Sequence, residues 1–148
     1  MANHLYQMII DHHPSQSDND VVRNGIINFN DNFLEYKSKS LSVFLKDDEK
    51  KIRGGILTWI DLESMYIEIL WLEEKLRHQG YGSKLLAIIE KEATEMGCHY
   101  VTVDTFAFQA EGFYLKNGYE RIGEIKNYIR QYSRIFFKKE LKRGVIHE

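Results

Sequence analysis

Leu70 to Leu86 reads LWLEEKLRHQGYGSKLL. An apolar strand ends near Leu72, a charged loop follows, and Arg77-His78-Gln79-Gly80-Tyr81-Gly82-Ser83 runs into the start of a helix. The first N–H groups of a helix have no partner inside it, and the helix dipole adds about half a positive charge there. Glycine lets the backbone approach a bulky anion and adopt positive φ. A strand, a glycine loop and a helix in this order form a phosphate cradle. Taken alone, Gly80 and Gly82 fit a plain tight turn equally well. Two other phosphate loops are weakened by spacing. No lysine followed by Ser or Thr ends the loop as in a Walker sequence, and Leu85 stands where a dinucleotide fingerprint needs its third glycine.

Outward from this loop, the elements alternate. Gly82 to Met96 reads as a helix, with Leu85, Leu86, Ile89, Ala93 and Met96 at three-to-four spacing and Gly97 as a left-handed stop. Before it, Leu41–Leu45, Ile52–Ile60 and Met65–Leu72 read as strands separated by charged turns. In the third, simple alternation puts Tyr66, Glu68, Leu70 and Leu72 on one face. After it come a strand over Tyr100–Thr105, a short helix over Gln109–Lys116 ended by Asn117-Gly118, and strands over Tyr119–Ile125 and Arg134–Leu141. Asn127 to Arg134 joins the last two strands and reads equally well as a simple hairpin loop with surface aromatics or as a segment whose Tyr128, Arg130 and Tyr132 recognise a substrate. Near the N-terminus, Asp11 to Asp20 reads as a polar loop, with Ser17 or Asp18 capping a helix over Asp20–Phe29. This order predicts one α/β (α+β) domain over residues 1–148: a mixed, mostly antiparallel sheet with helices on both faces.

The 148 residues suit one domain. Hydrophobic residues make up 43% and charged residues 28%, an ordinary globular balance that excludes a disordered or collagen-like chain. No apolar run approaches the roughly 18 residues of a membrane span, so no membrane association is expected. The formal net charge of −2 argues against general nucleic-acid binding, which needs a basic face. The one cysteine, Cys98, forms no internal disulfide and builds no thiolate zinc site, pointing to a reducing, cytoplasmic setting. The first residues carry no basic, then apolar, secretion signal. His12-His13 beside Pro14 read as a solvated loop rather than a metal site, and no metal is expected.

Arg77-x-x-Gly80-x-Gly82 resembles the R/Q-x-x-G-x-G/A signature of the GNAT superfamily of acyl-CoA N-acyltransferases, and LWLEEKLR resembles its lead-in. Phe108-Gln-Ala-Glu-Gly-Phe-Tyr114-Leu-Lys-Asn-Gly-Tyr119 is similar to the family's second motif. The likeness runs from about Leu41 to Leu141. It departs at Glu74, where many members have proline, and at Ala107, where many have asparagine. The resemblance implies an acetyl-CoA-dependent N-acetyltransferase, in which an amine attacks the thioester directly in a ternary complex. It implies that backbone amides over Arg77, His78, Gln79, Gly80, Tyr81, Gly82 and Ser83 hold the coenzyme A pyrophosphate, and that the backbone at Leu70 and Leu72 pairs with the pantetheine arm. Leu72 N–H would donate to the thioester oxygen. The acceptor would be a small-molecule or peptide amine. Homodimers are common in the family.

Acetyl transfer asks for a deprotonated amine, a donor to the thioester oxygen, and a proton for the leaving thiolate. Tyr114 sits where the family's general-acid tyrosine sits; the alternative is a packing aromatic. Glu68 is an acid inside an apolar strand and is the candidate base; the alternative is a solvent-facing or ion-paired strand residue. Two other readings of the chain compete with an enzyme. One is a non-catalytic acyl-CoA-binding or regulatory module on the same fold, and the other is an interaction domain with a coincidental loop.

Overall fold

Residues 5–142 are described by the computed structural model of the chain. The chain divides into two compact units, Met1–Tyr36 and Lys37–Glu148, and each is taken by itself. The first holds helix α1, Gln16–Asn30. It starts four residues earlier than Asp20, because Ser15, directly after Pro14, is the cap: its hydroxyl accepts the Asp18 N–H at 3.1 Å. Asp18 in the first turn then suits the positive helix end.

The second unit is a six-stranded sheet in the order β1-β2-β3-β4-β6-β5. Its strands are β1 (Lys39–Lys46), β2 (Ile52–Asp61), β3 (Ser64–Leu72), β4 (Tyr100–Phe106), β5 (Glu120–Ile129) and β6 (Tyr132–Glu140). Short turns make the β1–β2–β3 meander antiparallel, whereas β3 and β4 are parallel and need a crossover. Helix α2, Tyr81–Glu95, supplies it, and the short helix α3, Glu111–Lys116, follows β4. The predicted mixed, mostly antiparallel sheet is the one observed.

The core lies on one sheet face. Leu85, Leu86, Ile89 and Ala93 of α2 are buried with Ile56, Ile60, Met65, Ile67, Val101 and Val103. Each of the larger side chains among them contributes roughly 1.5–3 kcal/mol on leaving water. Tyr114 of α3 packs on the same face, its ring 5.7 Å from that of Phe137 on β6. Met96 does not join the core: it is the residue ending α2 and is partly exposed, and Gly97 turns the chain at φ +95°. At the far end of α2, Glu90 receives Lys139 at 2.6 Å and the Tyr119 hydroxyl at 3.3 Å, and Lys139 also donates to the Asn117 carbonyl at 2.9 Å. That network fastens α2 to β6 and to the turn after α3.

Two irregularities shape the site. In the β2–β3 pairing Leu57 faces Ile69 and Thr58 faces Ile67, so Glu68 is an extra residue in a bulge. The bulge reverses the alternation. Met65 and Ile67 point to the core before it, and Leu72 does so after it. Glu68 therefore lies on the face opposite Leu72, not on the shared face that unbroken alternation predicts. It reaches Trp59, whose indole N–H donates to Oε2 at 3.0 Å. The second irregularity is in β3–β4, where pairing stops at Ile67 and Val103 and the strands separate. From Asn127 to Arg134 the chain forms a hairpin, and a tighter one than a loop of that length. β5 runs to Ile129 and β6 begins at Tyr132, with only Arg130-Gln131 between them. A register shift between Ile125 and Ile129 takes up the extra residues.

Candidate active site

Beyond Ile67 the β4 side of β3 has no strand partner. The antiparallel ladder to β2 decides which backbone groups face that opening. Glu73 N–H bonds the Arg53 carbonyl at 2.9 Å, so by alternation Trp71 and Ile69 also face β2. The N–H and C=O groups of Leu70 and Leu72 then point into the fork. The Leu72 carbonyl is already met there by Arg77 Nε at 3.1 Å.

The fork widens into a cleft of about 820 Å³. Leu70 and Leu72 form one wall, and Arg77, His78, Gly80, Gly82 and Ser83 line the end made by α2. Gly80 precedes α2 at φ +85°, a conformation that costs other residues strain, and no side chain caps the helix. No acid occupies the first turn. The leading amides of α2 therefore keep their hydrogen-bonding capacity toward the cleft. A Cβ on Gly82 would come within 3.1 Å of the Phe113 ring, so glycine is what lets α2 and α3 approach here. His78 also has positive φ, at +61°.

Gln79 and Tyr81, the other two loop residues expected to hold a phosphate, have side chains engaged elsewhere. Gln79 donates to the Lys75 carbonyl at 2.7 Å, and the Tyr81 ring packs against the core and takes the Lys84 ammonium 5.6 Å over its face. Opposite the loop stand Ala107, Gln109, Ala110, Glu111, Gly112, Phe113 and Lys116. The second motif pointed to this segment, but residue order alone does not say which of its side chains face the cleft. Gln109 shapes the turn: its Oε1 accepts from Phe106 N–H at 2.8 Å and from Thr105 Oγ1 at 3.0 Å. Glu111 is paired with Arg121 at 3.1 Å. Arg77, His78 and Lys116 thus give the cleft a basic lining suited to phosphates.

Tyr114 is buried behind Phe113, and Glu68 lies past the fork's apex; neither lines the cleft. Burial first, then the charge of Asp104, push the Tyr114 phenol up to about 12. Its hydroxyl has no hydrogen-bond partner among the described residues, yet it is not sealed from solvent. Such a group stays protonated at neutral pH and is free to donate. Cys98 is buried, its Sγ 3.8 Å from the Leu62 carbonyl, and burial raises its thiol above the ordinary range. Among the described residues no cluster of three or more His, Cys, Asp or Glu is arranged to hold a metal. No described helix is long and apolar enough to cross a membrane.

Comparison with known proteins agrees with this geometry. The model of the acetyltransferase (GNAT) family matches residues 4–119. The crystal structure of an acetyltransferase from Bacillus cereus superposes with a TM-score of 0.82 at 33% identity, over 91% of this chain and 98% of that one. An acetyltransferase of Agrobacterium fabrum is 29% identical over 105 residues, 70% of this chain and 77% of that protein. Blasticidin-S acetyltransferase of Streptomyces morookaense is 34% identical over 79 residues, 53% of this chain and 58% of that protein. With a family match over most of its length and a forked sheet opening on an uncapped helix, this chain belongs to the GNAT family of acetyl-CoA-dependent acetyltransferases.

Proposed function

We propose that the chain is one acetyltransferase domain that binds acetyl-CoA in the cleft between β3 and β4 and transfers the acetyl group directly to a small-molecule or peptide amine. One observation carries this reading: the backbone groups of Leu70 and Leu72, unpaired with β4, lead along the fork to the uncapped start of α2. The pantetheine arm would add to β3 as a short strand, and the pyrophosphate would meet the amides from Arg77 to Ser83, with Arg77, His78 and Lys116 balancing its charge. Leu72 N–H would stabilise the thioester oxygen as it gains charge. Since neither Glu68 nor Tyr114 lines the cleft, each would act through one intervening water: Glu68 would take a proton from the incoming ammonium, and Tyr114 would give one to the leaving thiolate. The basic cleft and the acid beyond its apex divide the labour: one end suits an anionic donor, the other a cationic acceptor.

The relative that acetylates blasticidin-S supports a small-molecule acceptor. A cytoplasmic location fits the single buried, reduced Cys98, and the homodimers common in the family make sedimentation the measure of assembly. The test pairs two measurements. Calorimetry with coenzyme A asks whether the cleft binds the donor, and thiol release from acetyl-CoA over a panel of polyamines, amino acids, amino-bearing antibiotics and peptide N-termini asks for the acceptor. Saturating donor at about 100 times its Kd should add about 2.7 kcal/mol of stability. Absence of coenzyme A binding refutes the reading outright.

A further inference from the structure

At the apex of the fork, Asp104 occupies the first β4 position past the last β3–β4 pair, Ile67 with Val103. One of its oxygens, Oδ1, accepts two hydrogen bonds from opposite sides. Tyr66 of β3 donates its hydroxyl at 3.2 Å, and Arg134 of β6 donates Nη2 at 3.0 Å. The Tyr66 contact is the diagonal reach expected of a long side chain to the neighbouring strand, since Tyr66 pairs with Thr102. Among the described residues it is the single side-chain hydrogen bond that joins β3 to β4. Arg134 is held in turn between rings, 5.3 Å from Phe106 and 5.2 Å from Tyr128. The Tyr66 phenol is raised by burial and then by the charge of Asp104, which keeps its proton available to the bond.

Backbone pairing fixes the two strands only up to Ile67, while Glu68 follows immediately on β3. We propose that Asp104 is a positioning residue for acetyl transfer: its clasp on Tyr66 and Arg134 sets the width of the fork's apex, and with it the place of Glu68 relative to the cleft. Asp104 itself touches no reacting atom. This inference rests on the transferase reading above. A misplacement of about 1 Å in the reacting groups is enough to cost on the order of 10²-fold in rate, whereas donor binding, made farther along at Leu70, Leu72 and α2, does not depend on the apex.

The variants are Asp104→Ala, Tyr66→Phe, their double, and Asp104→Asn, which keeps an oxygen able to accept both bonds. They are assayed with acetyl-CoA and the panel amine that the wild-type chain acetylates fastest. Asp104→Ala and Tyr66→Phe are each expected to lower kcat by roughly 10- to 100-fold. Their coenzyme A Kd by calorimetry should stay within about threefold of wild type, the double should be no slower than Asp104→Ala, and Asp104→Asn should recover most of the rate. A folded Asp104→Ala protein with wild-type kcat overturns the clasp. So does a double whose losses multiply, or an Asp104→Asn variant as slow as Asp104→Ala, because the latter would make the charge itself the active feature. If Asp104→Ala fails to fold, Tyr66→Phe with unchanged kcat overturns the clasp in its place. Wild-type coenzyme A binding without turnover of any amine refutes the transferase reading and the clasp together, and is distinct from a variant-specific failure.

Discussion

Gly82→Glu should separate stability from donor binding. Gly82 is the second residue of α2, lies at ordinary helical φ, and lines the cleft. Replacing glycine inside a helix with glutamate recovers about 0.5 kcal/mol of propensity, less than the roughly 0.8–1.0 kcal/mol of alanine. A carboxylate in the first turn adds about 0.3–1 kcal/mol with the dipole. Against this, the new Cβ meets Phe113 Cε2 at 3.1 Å and Cζ at 3.3 Å, so that ring must give by a few tenths of an ångström. Such overpacking costs about 1–3 kcal/mol. The terms nearly cancel, and the melting temperature should move by only a few degrees. Donor binding does not cancel. A carboxylate about 6 Å from a phosphate repels it by roughly 3 kcal/mol at an effective dielectric near 20, which is about 100-fold in Kd. Thermal unfolding of the free protein and calorimetry with coenzyme A, at low and high salt, check the two halves. A folded Gly82→Glu protein that binds coenzyme A within threefold of wild type would refute the pyrophosphate cradle and leave the loop as a turn.

Three other outcomes are expected. Tyr114→Phe should slow the chemical step by about 10²–10⁴-fold in single-turnover kinetics while coenzyme A affinity holds; full activity would reduce Tyr114 to a packing residue. Glu68→Gln should depress turnover more at pH 7, where the amine arrives protonated, than near pH 10; an equal loss at both removes Glu68 as the base. The contribution of the buried phenols to stability should be flat below pH 10 and fall above it. The phenols of Tyr114, at about 12, and Tyr119, raised first by burial and then by Glu90, keep their protons in the folded chain when the unfolded chain has lost them. Between pH 10 and 12 Tyr114 alone should cost on the order of 2 kcal/mol, so urea midpoints should drop less steeply in Tyr114→Phe.

The elements were legible because their periodicities are clean. Leu85, Leu86, Ile89 and Ala93 repeat at helical spacing, and the predicted helix is α2 within a residue at each end. Gly97 and Gly118 do adopt the positive φ that ends α2 and follows α3. Element ends were less visible where two caps compete, as at Ser15 against Ser17 and Asp18. How far β5 and β6 extend into their hairpin was hidden for a different reason. Asn127 and Arg130 both take positive φ without glycine, so the turn carries no glycine signal, and its polar residues look like a loop.

The site divides along the same line between local pattern and long-range pairing. The glycine loop is contiguous in sequence, so spacing drew attention to Gly80 and Gly82, and the family signature added Arg77. The fork is not. It exists because β4 stops pairing with β3 after Val103, thirty-six residues along the chain from Ile67, and no local signal marks that point. The bulge at Glu68 is equally silent, since LESMYIEILWL carries no glycine or proline to mark it while the structure inserts one unpaired residue. Yet the bulge is what decides the face of Glu68. With regular alternation its carboxylate would share a face with Leu72, which is buried in the core, where a charge without a partner is costly. Turned to the other face, it meets the Trp59 indole, and it follows Ile67 as Asp104 follows Val103, each just beyond the last strand pair. The same inserted residue lets Leu72 return to the core that Leu85, Leu86 and Ile89 of α2 share. One irregularity thus satisfies two opposed demands, an apolar wall under the cradle and an acid on the opposite face of the same strand.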